Sequence, residues 1–394
     1  MKPIRRVGAA SPFGLALPSA TPTAGQLYGP RGAWLDDARL VVADTGNHRV
    51  LIWHDLPASD GAEADVVLGQ PDFTSEGQNA GGRGPEHGLA MPTGVLVHEG
   101  RLVVADSWNH RVLVWNRLPE APGTRPDVVL GQDDLSGCLP QRGAACGPTA
   151  LYWPYGIGVV DGWFWVTDTG NRRVVGWPGL PEPGQAPAVV LGQPDASAND
   201  ENRGGAASAA SFRWPHAVAG HGGAFFVADA GNHRVLGWHP RPEGDAPASS
   251  VLGQPSFAAT EELPHRKQGA HRLRFPYAVA SEADTLAVAD TANNRVLLWD
   301  GLPGPSLQRP ADHVIGQPDF DQAGENRWKQ VADDTLCWPY GLWLHGDRLA
   351  VADSGNNRVV LWDITRPMGE ATPRDGRGHA VHIHASGIPH SGSR

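Results

Sequence analysis

Six prolines, Pro30, Pro92, Pro154, Pro215, Pro276 and Pro339, are each followed by a different side chain: Arg31, Thr93, Tyr155, His216, Tyr277 and Tyr340. An imidazole beside phenols is capable of acid–base chemistry. Before the same prolines stand Gly29, Met91, Trp153, Trp214, Phe275 and Trp338. All five tyrosines of the chain, Tyr28 and Tyr152 included, lie within two residues of one of these prolines. If the fold gathers these positions, they form an aromatic mouth suited to a small ligand. The same rings would serve equally well as a plug filling the space where they meet.

Other sets of chemical side chains are sparser. The tail "GHAVHIHASG" places His382 and His384 two apart, on one face of any strand, where they would chelate a transition metal. A polar strand face or an unstructured tract accounts for the same histidines without metal. No other cofactor is expected. No Ser-His-Asp order, phosphate-cradling glycine loop or H-E-x-x-H stands out. The three cysteines, Cys138, Cys146 and Cys337, are too few for a disulfide framework and read as free thiols of a cytoplasmic protein.

A third set repeats too often to be catalytic. The phrase "VVADTGNHRVLIW" (41–53) returns five times with little change. Its aspartates, Asp44, Asp106, Asp168, Asp229, Asp290 and Asp353, stand 61 to 63 residues apart. Each is followed by a fixed asparagine (Asn47, Asn109, Asn171, Asn232, Asn293, Asn356) and a fixed arginine (Arg49, Arg111, Arg173, Arg234, Arg295, Arg358). Six equivalent sites read as structure: the carboxylate takes turn amides and the guanidinium neutralises it. The fixed asparagine is the natural occupant of a left-handed turn position, since its predecessor varies among Gly, Trp and Ala. The histidines that follow it, His48, His110 and His233, are replaced by Arg172, Asn294 and Asn357, and read as interchangeable surface groups.

The elements that carry these residues are short. Each unit contains four runs of β-branched and aromatic residues bounded by Gly, Pro, Asn and Asp, such as "PYGIGVV", "WFWVTD", "RRVVGW" and "AVVLGQ". No segment has the apolar spacing of a long helix, and none approaches the roughly 18 apolar residues of a membrane span. Four-stranded antiparallel sheets at constant spacing imply an all-β, six-bladed β-propeller. The repeats cover about 29–73, 89–135, 151–196, 212–257, 273–320 and 336–365, with a histidine-containing tail over 366–394.

The sixth unit lacks its fourth strand. In the other units a fourth-strand glycine precedes the next proline by 23 residues, as Gly69 precedes Pro92. Counting back from Pro30 reaches "RVG" at 6–8, so residues 4–13 are expected to complete the last blade and hide its edge. This role argues against reading the N-terminus as a cleaved export signal. A competing strand is 379–387, where Val381, Ile383 and Ala385 alternate with histidines.

The motif "VADxGNHRV", with P-x-G-I/V ahead of it, resembles the NHL repeat over roughly residues 1–365. The "LGQPDF" phrase is similar to the long repeats of bacterial members of that family. The resemblance implies a six-bladed propeller. It leaves the function open, since the family's propellers bind proteins, bind RNA or act as enzymes. Enzymatic relatives, among them the peptide-amidating lyase, draw metal ligands from several channel histidines, whereas here His216 alone holds such a position.

A formal charge of −10 with no basic run argues against a nucleic-acid partner. The loops joining fourth to first strands, such as "TSEGQNAGGRGPEHG" (74–88), are long and share one face with the second-to-third hairpins. The reading is a non-catalytic scaffold that binds a protein partner or small ligand through this face. The alternatives are a lyase- or lactonase-type enzyme with a pocket at the channel mouth, and an accessory protein of a metalloenzyme using the tail histidines.

Overall fold

Each proline-opened unit folds into a four-stranded antiparallel sheet in the computed structural model, which describes residues 1–8, 21–262 and 268–365. Blade 3 is representative. Its strands, from hub to rim, are Pro154–Val160, Trp163–Asp168, Arg173–Trp177 and Val189–Leu191. The two middle strands are almost wholly buried, because a neighbouring blade covers each face of the sheet. That double burial explains why they read as near-continuous apolar runs. First strands of successive blades touch one another, and that of the sixth touches that of the first, so the six line a closed axis.

Closure follows the spacing argument. In blade 6, strands Pro339–His345, Arg348–Asp353 and Arg358–Asp363 are joined at the rim by the N-terminal strand Lys2–Gly8. Val7 pairs with Val359 and Gly8 with Arg358. Gly8 has φ +97°, matching Gly69, Gly131, Gly192, Gly253 and Gly316 at +87° to +93°. A β-carbon there would stand 2.5 Å from the Asn357 carbonyl, so the bend at the end of each rim strand needs glycine. Residues 9–13 and the competing strand 379–387 lie outside the described residues.

The tryptophans ending the third strands pack between blades, and five donate their indole N–H to the following loop: Trp53 to Ala62 O, Trp115 to Thr124 O, Trp177 to Gln185 O, Trp238 to Ala246 O and Trp299 to Arg309 O. Trp362 Nε1 has no partner among the described residues. Its blade has no loop from third to fourth strand, because its fourth strand comes from the other end of the chain. No helix among the described residues is long and apolar enough to cross a membrane.

Candidate functional site

The repeated Asp–Asn–Arg set sits fully inside each second-to-third hairpin. In blade 3, Asp168 Oδ2 accepts from Asn171 Nδ2 (2.8 Å) and Arg173 Nε (2.7 Å), and Oδ1 accepts from the Tyr152 N–H (2.8 Å). Arg173 spends its remaining donors on the carbonyls of Ala196, Gly147 and Ala150. One guanidinium thus ties the hairpin to the long loop before its blade and to the one after it. The other five sets repeat the pairing, from Asp44–Arg49 to Asp353–Arg358. With charge and donors both satisfied, a buried ion of this kind is held rather than available.

Two sequence expectations about this turn need correction. The left-handed residue is the one after the asparagine: His48, His110, Arg172, His233, Asn294 and Asn357 all have φ of 53–55°. The asparagine is instead committed to the aspartate, and a helical backbone suits that reach. Nor are the left-handed residues interchangeable surface groups. His48 Nδ1 accepts the N–H of Met91, His110 Nδ1 that of Trp153, and His233 Nδ1 that of Phe275, at 3.0–3.2 Å. Asn294 Oδ1 does the same for Trp338 and Asn357 Oδ1 for Gly29. Each acceptor therefore fixes the residue before the next blade's opening proline. Those five residues, Gly29, Met91, Trp153, Phe275 and Trp338, all have φ near +50°. Arg172 has no such acceptor, and Trp214, its counterpart in the next blade, is not in that conformation. There His216 Nδ1 holds the Trp214 carbonyl at 2.8 Å instead.

A second tie runs between blades at the hub. Hydroxyls of Thr45, Ser107, Thr169, Thr291 and Ser354 donate to the carbonyls of Pro92, Pro154, Pro215, Pro339 and Pro30, each in the next blade. Blade 4 has Ala230 at this position and makes no such bond.

These ties bring five of the six residues that follow the prolines into contact around the axis. The rings of Tyr155 and His216 are 4.4 Å apart, His216 and Tyr277 4.2 Å, and Tyr277 and Tyr340 4.6 Å. Arg31 lies over Tyr340 at 4.6 Å. Thr93, the sixth, is drawn off the group by its hydrogen bonds to Ser107 and the Tyr155 carbonyl. Thr93, Tyr155 and His216 are buried, while Arg31, Tyr277 and Tyr340 keep partial exposure. The cavity they share with the first strands measures about 120 Å³, well below the ~300–1,000 Å³ of sites for drug-sized ligands. Of the residues before the prolines, Trp153 meets Tyr155 and His216 edge-on at 6.1 and 5.8 Å, and Trp214 stacks on Phe275 at 6.5 Å. Trp338 stands apart and exposed, its Nε1 donating to Glu325.

Burial sets the protonation of this hub. It pushes His216 down to about 3, with the Arg31 charge acting in the same direction. Since a carbonyl faces Nδ1, that nitrogen carries the proton, and the neutral ring keeps a bare, buried Nε2. Burial pushes Tyr277 up to about 12 and raises Tyr155 and Tyr340, so all three phenols keep their protons.

Trp108 and Trp328 escaped the sequence reading of sites, although a signal was present. Trp108 occupies a hairpin position that is glycine in four other units, Gly46, Gly170, Gly231 and Gly355. A side chain there would strike Tyr28, Tyr152, Arg213 or Cys337, but unit 2 has the small Ala90 at the facing position. Trp328 occupies a loop position filled by Gly81, Gly143 and Gly204, whose φ is +72° to +75°. It adopts φ +56° and is 81% exposed. His382 and His384 lie outside the described residues. Among those described, no group of three or more His, Cys, Asp or Glu is placed to hold a metal, and the three cysteines are free thiols.

The NHL repeat family model matches residues 89–115, which span the opening strand and hairpin of blade 2. No curated protein matches the chain. Among solved structures, the WD40 β-propeller domain of Doa1 is similar at 11% identity and a TM-score of 0.45, covering 89% of this chain and 97% of that one. Virginiamycin B lyase from Staphylococcus aureus is similar at 11% identity and a TM-score of 0.43, covering 86% of this chain and 97% of the other.

Proposed function

We propose that this chain, an NHL-repeat β-propeller, is a non-catalytic binding scaffold that offers its loop-bearing face to a protein partner. The observation that carries the reading is the placement of exposed rings. Tyr28, Trp108, Tyr152, Trp328 and Trp338 are exposed and all belong to second-to-third hairpins or to loops leading into first strands. These connections share one end of the propeller. Trp and Tyr in such a setting are the side chains that most often anchor a protein interface. Trp328 is the sharpest case. A non-glycine residue in the left-handed region costs about 1–2 kcal/mol, and an indole left in water recovers little of it. Strain kept without a packing return points to use. Beside it, Phe275, Tyr277 and Trp338 line a groove of about 490 Å³ between blades 5 and 6.

The test replaces both tryptophans with the residue the other repeats carry. Trp108→Gly with Trp328→Gly should leave the thermal midpoint unchanged or higher and remove most binding of the co-purifying partner. Full partner recovery by the double variant would rule this face out.

The enzymatic reading rests on His216 alone. Its Nδ1 proton is engaged by Trp214, and no carboxylate among the described residues faces it to cycle a proton. The scaffold reading therefore stands ahead of lyase or lactonase chemistry. A substrate screen in which turnover falls with His216→Ala would reverse that order.

A further inference from the structure

The hub holds a cation and a group of proton donors with no anion to receive them. Arg31 has no carboxylate partner among the described residues. Its charged and titratable neighbours are Tyr155, Tyr340, Tyr277 and His216, and none of them is an acid. The hydroxyls of Tyr277 and Tyr340 donate to no protein group among those described; the buried Tyr155 hydroxyl faces the Arg31 guanidinium and has no acceptor for its own proton. A partly buried guanidinium and three phenol hydroxyls thus converge where the protein supplies no anion. Charges taken out of water are normally paired, and unmade hydrogen bonds at buried groups are costly. Elsewhere this protein obeys the rule closely: all six arginines of the repeat turns have a carboxylate within 2.7–2.9 Å.

One acceptor breaks the pattern. His216 is 1% exposed, and its Nε2 has no partner while Nδ1 donates to the Trp214 carbonyl. The hub therefore asks for a ligand with negative oxygens for Arg31 and the phenols, and one O–H for the imidazole. The cavity of about 120 Å³ limits it to a few heavy atoms.

We propose that the hub binds a small oxyanion that retains a hydroxyl, of the class of hydrogen phosphate, bicarbonate or a short hydroxy acid. Arg31 and the hydroxyls of Tyr155, Tyr277 and Tyr340 take the charge, and His216 Nε2 accepts a hydrogen bond from the ligand's O–H. Tyr155 Oη and His216 Nε2 are both buried, so reaching them requires the hub side chains to shift as the ligand enters. Tyr277 borders both this site and the groove beside Trp328, but the anion contacts use neither Trp108 nor Trp328, so either proposal survives the failure of the other.

The test is calorimetric titration of the full chain at pH 7 with inorganic phosphate, bicarbonate and glycolate in separate arms, and with sulfate and chloride as controls. Sulfate matches phosphate in shape and carries no proton at this pH. At least one hydroxyl-bearing anion should bind at one per chain, and at least tenfold more tightly than sulfate. Arg31→Gln should weaken that anion at least tenfold, and Tyr277→Phe, which deletes one oxygen from a half-buried ring, about three- to tenfold. Urea midpoints check that both variants fold. The proposal is overturned if none of the three anions saturates, if sulfate binds as tightly, or if Tyr277→Phe in a folded protein leaves the affinity unchanged.

Discussion

Replacing His233 by asparagine tests the account of the hairpin histidines, because the protein itself uses asparagine in the same role at two other blades. His233 Nδ1 accepts the Phe275 N–H at 3.2 Å, so protonating Nδ1 would set two donors against each other. Burial holds the group down at about 4, although exposed Glu262 nearby pulls the other way. The unfolded chain takes up its proton near the ordinary value of about 6.5. The folded value is depressed, so the stabilisation is complete above pH 6.5 and is lost as the pH falls toward 4. Below that both states are protonated and the loss stops. At pH 5 linkage through this one histidine amounts to about 1–2 kcal/mol. Asn294 and Asn357 make the equivalent bond at 2.9 and 2.8 Å with a group that does not titrate. His233→Asn should therefore match the parent protein at pH 8 within about 0.5 kcal/mol and be the more stable of the two at pH 5 by about 1–2 kcal/mol. Urea unfolding followed by tryptophan fluorescence at both pH values reads the difference. Parallel losses in the two proteins between pH 8 and pH 5 would refute the reasoning, as would a variant as weak at pH 8 as His233→Ala.

Other substitutions probe the ties in turn. Arg173→Met leaves Asp168 buried without its cation and should cost about 3–5 kcal/mol, visible as a large fall in urea midpoint or as insoluble protein. Ala230→Ser supplies the one hub hydroxyl that the series lacks and should add about 0.5–1 kcal/mol, measured as a rise in thermal midpoint. Gly192→Ala would place a methyl 2.1 Å from the Phe212 ring at φ +88°, so it should destabilise blade 3 by more than 1 kcal/mol, roughly the left-handed penalty alone. The same change at Gly179, which has open space around it, should cost only that penalty, and the difference between the two midpoints measures the clash.

The blade count, the strand order and the closing strand were all legible in the chain, because each depends on distance along it. Aspartates 61 to 63 residues apart marked six units, and the interval from glycine to proline located the closing strand at Val7 and Gly8 before any pairing was known. What each side chain does was legible only where its partner is local. Asp168 and Arg173 lie five residues apart, and their joint recurrence in every unit pointed to one another, whereas Asn171 between them was read as the left-handed residue and not as the partner of the aspartate. His233 bonds an amide 42 residues away in the next blade, so its exchange for asparagine looked like surface drift. Tertiary structure decided that role, and it moved the left-handed position one residue along, because the asparagine side chain must stay beside the aspartate. It also brought Arg31, Tyr155, His216, Tyr277 and Tyr340, spread over most of the chain, around one axis. A repeat fixes the period of a chain, but whether its hub is crowded with rings or short of an anion depends on side chains that meet only when the ring has closed.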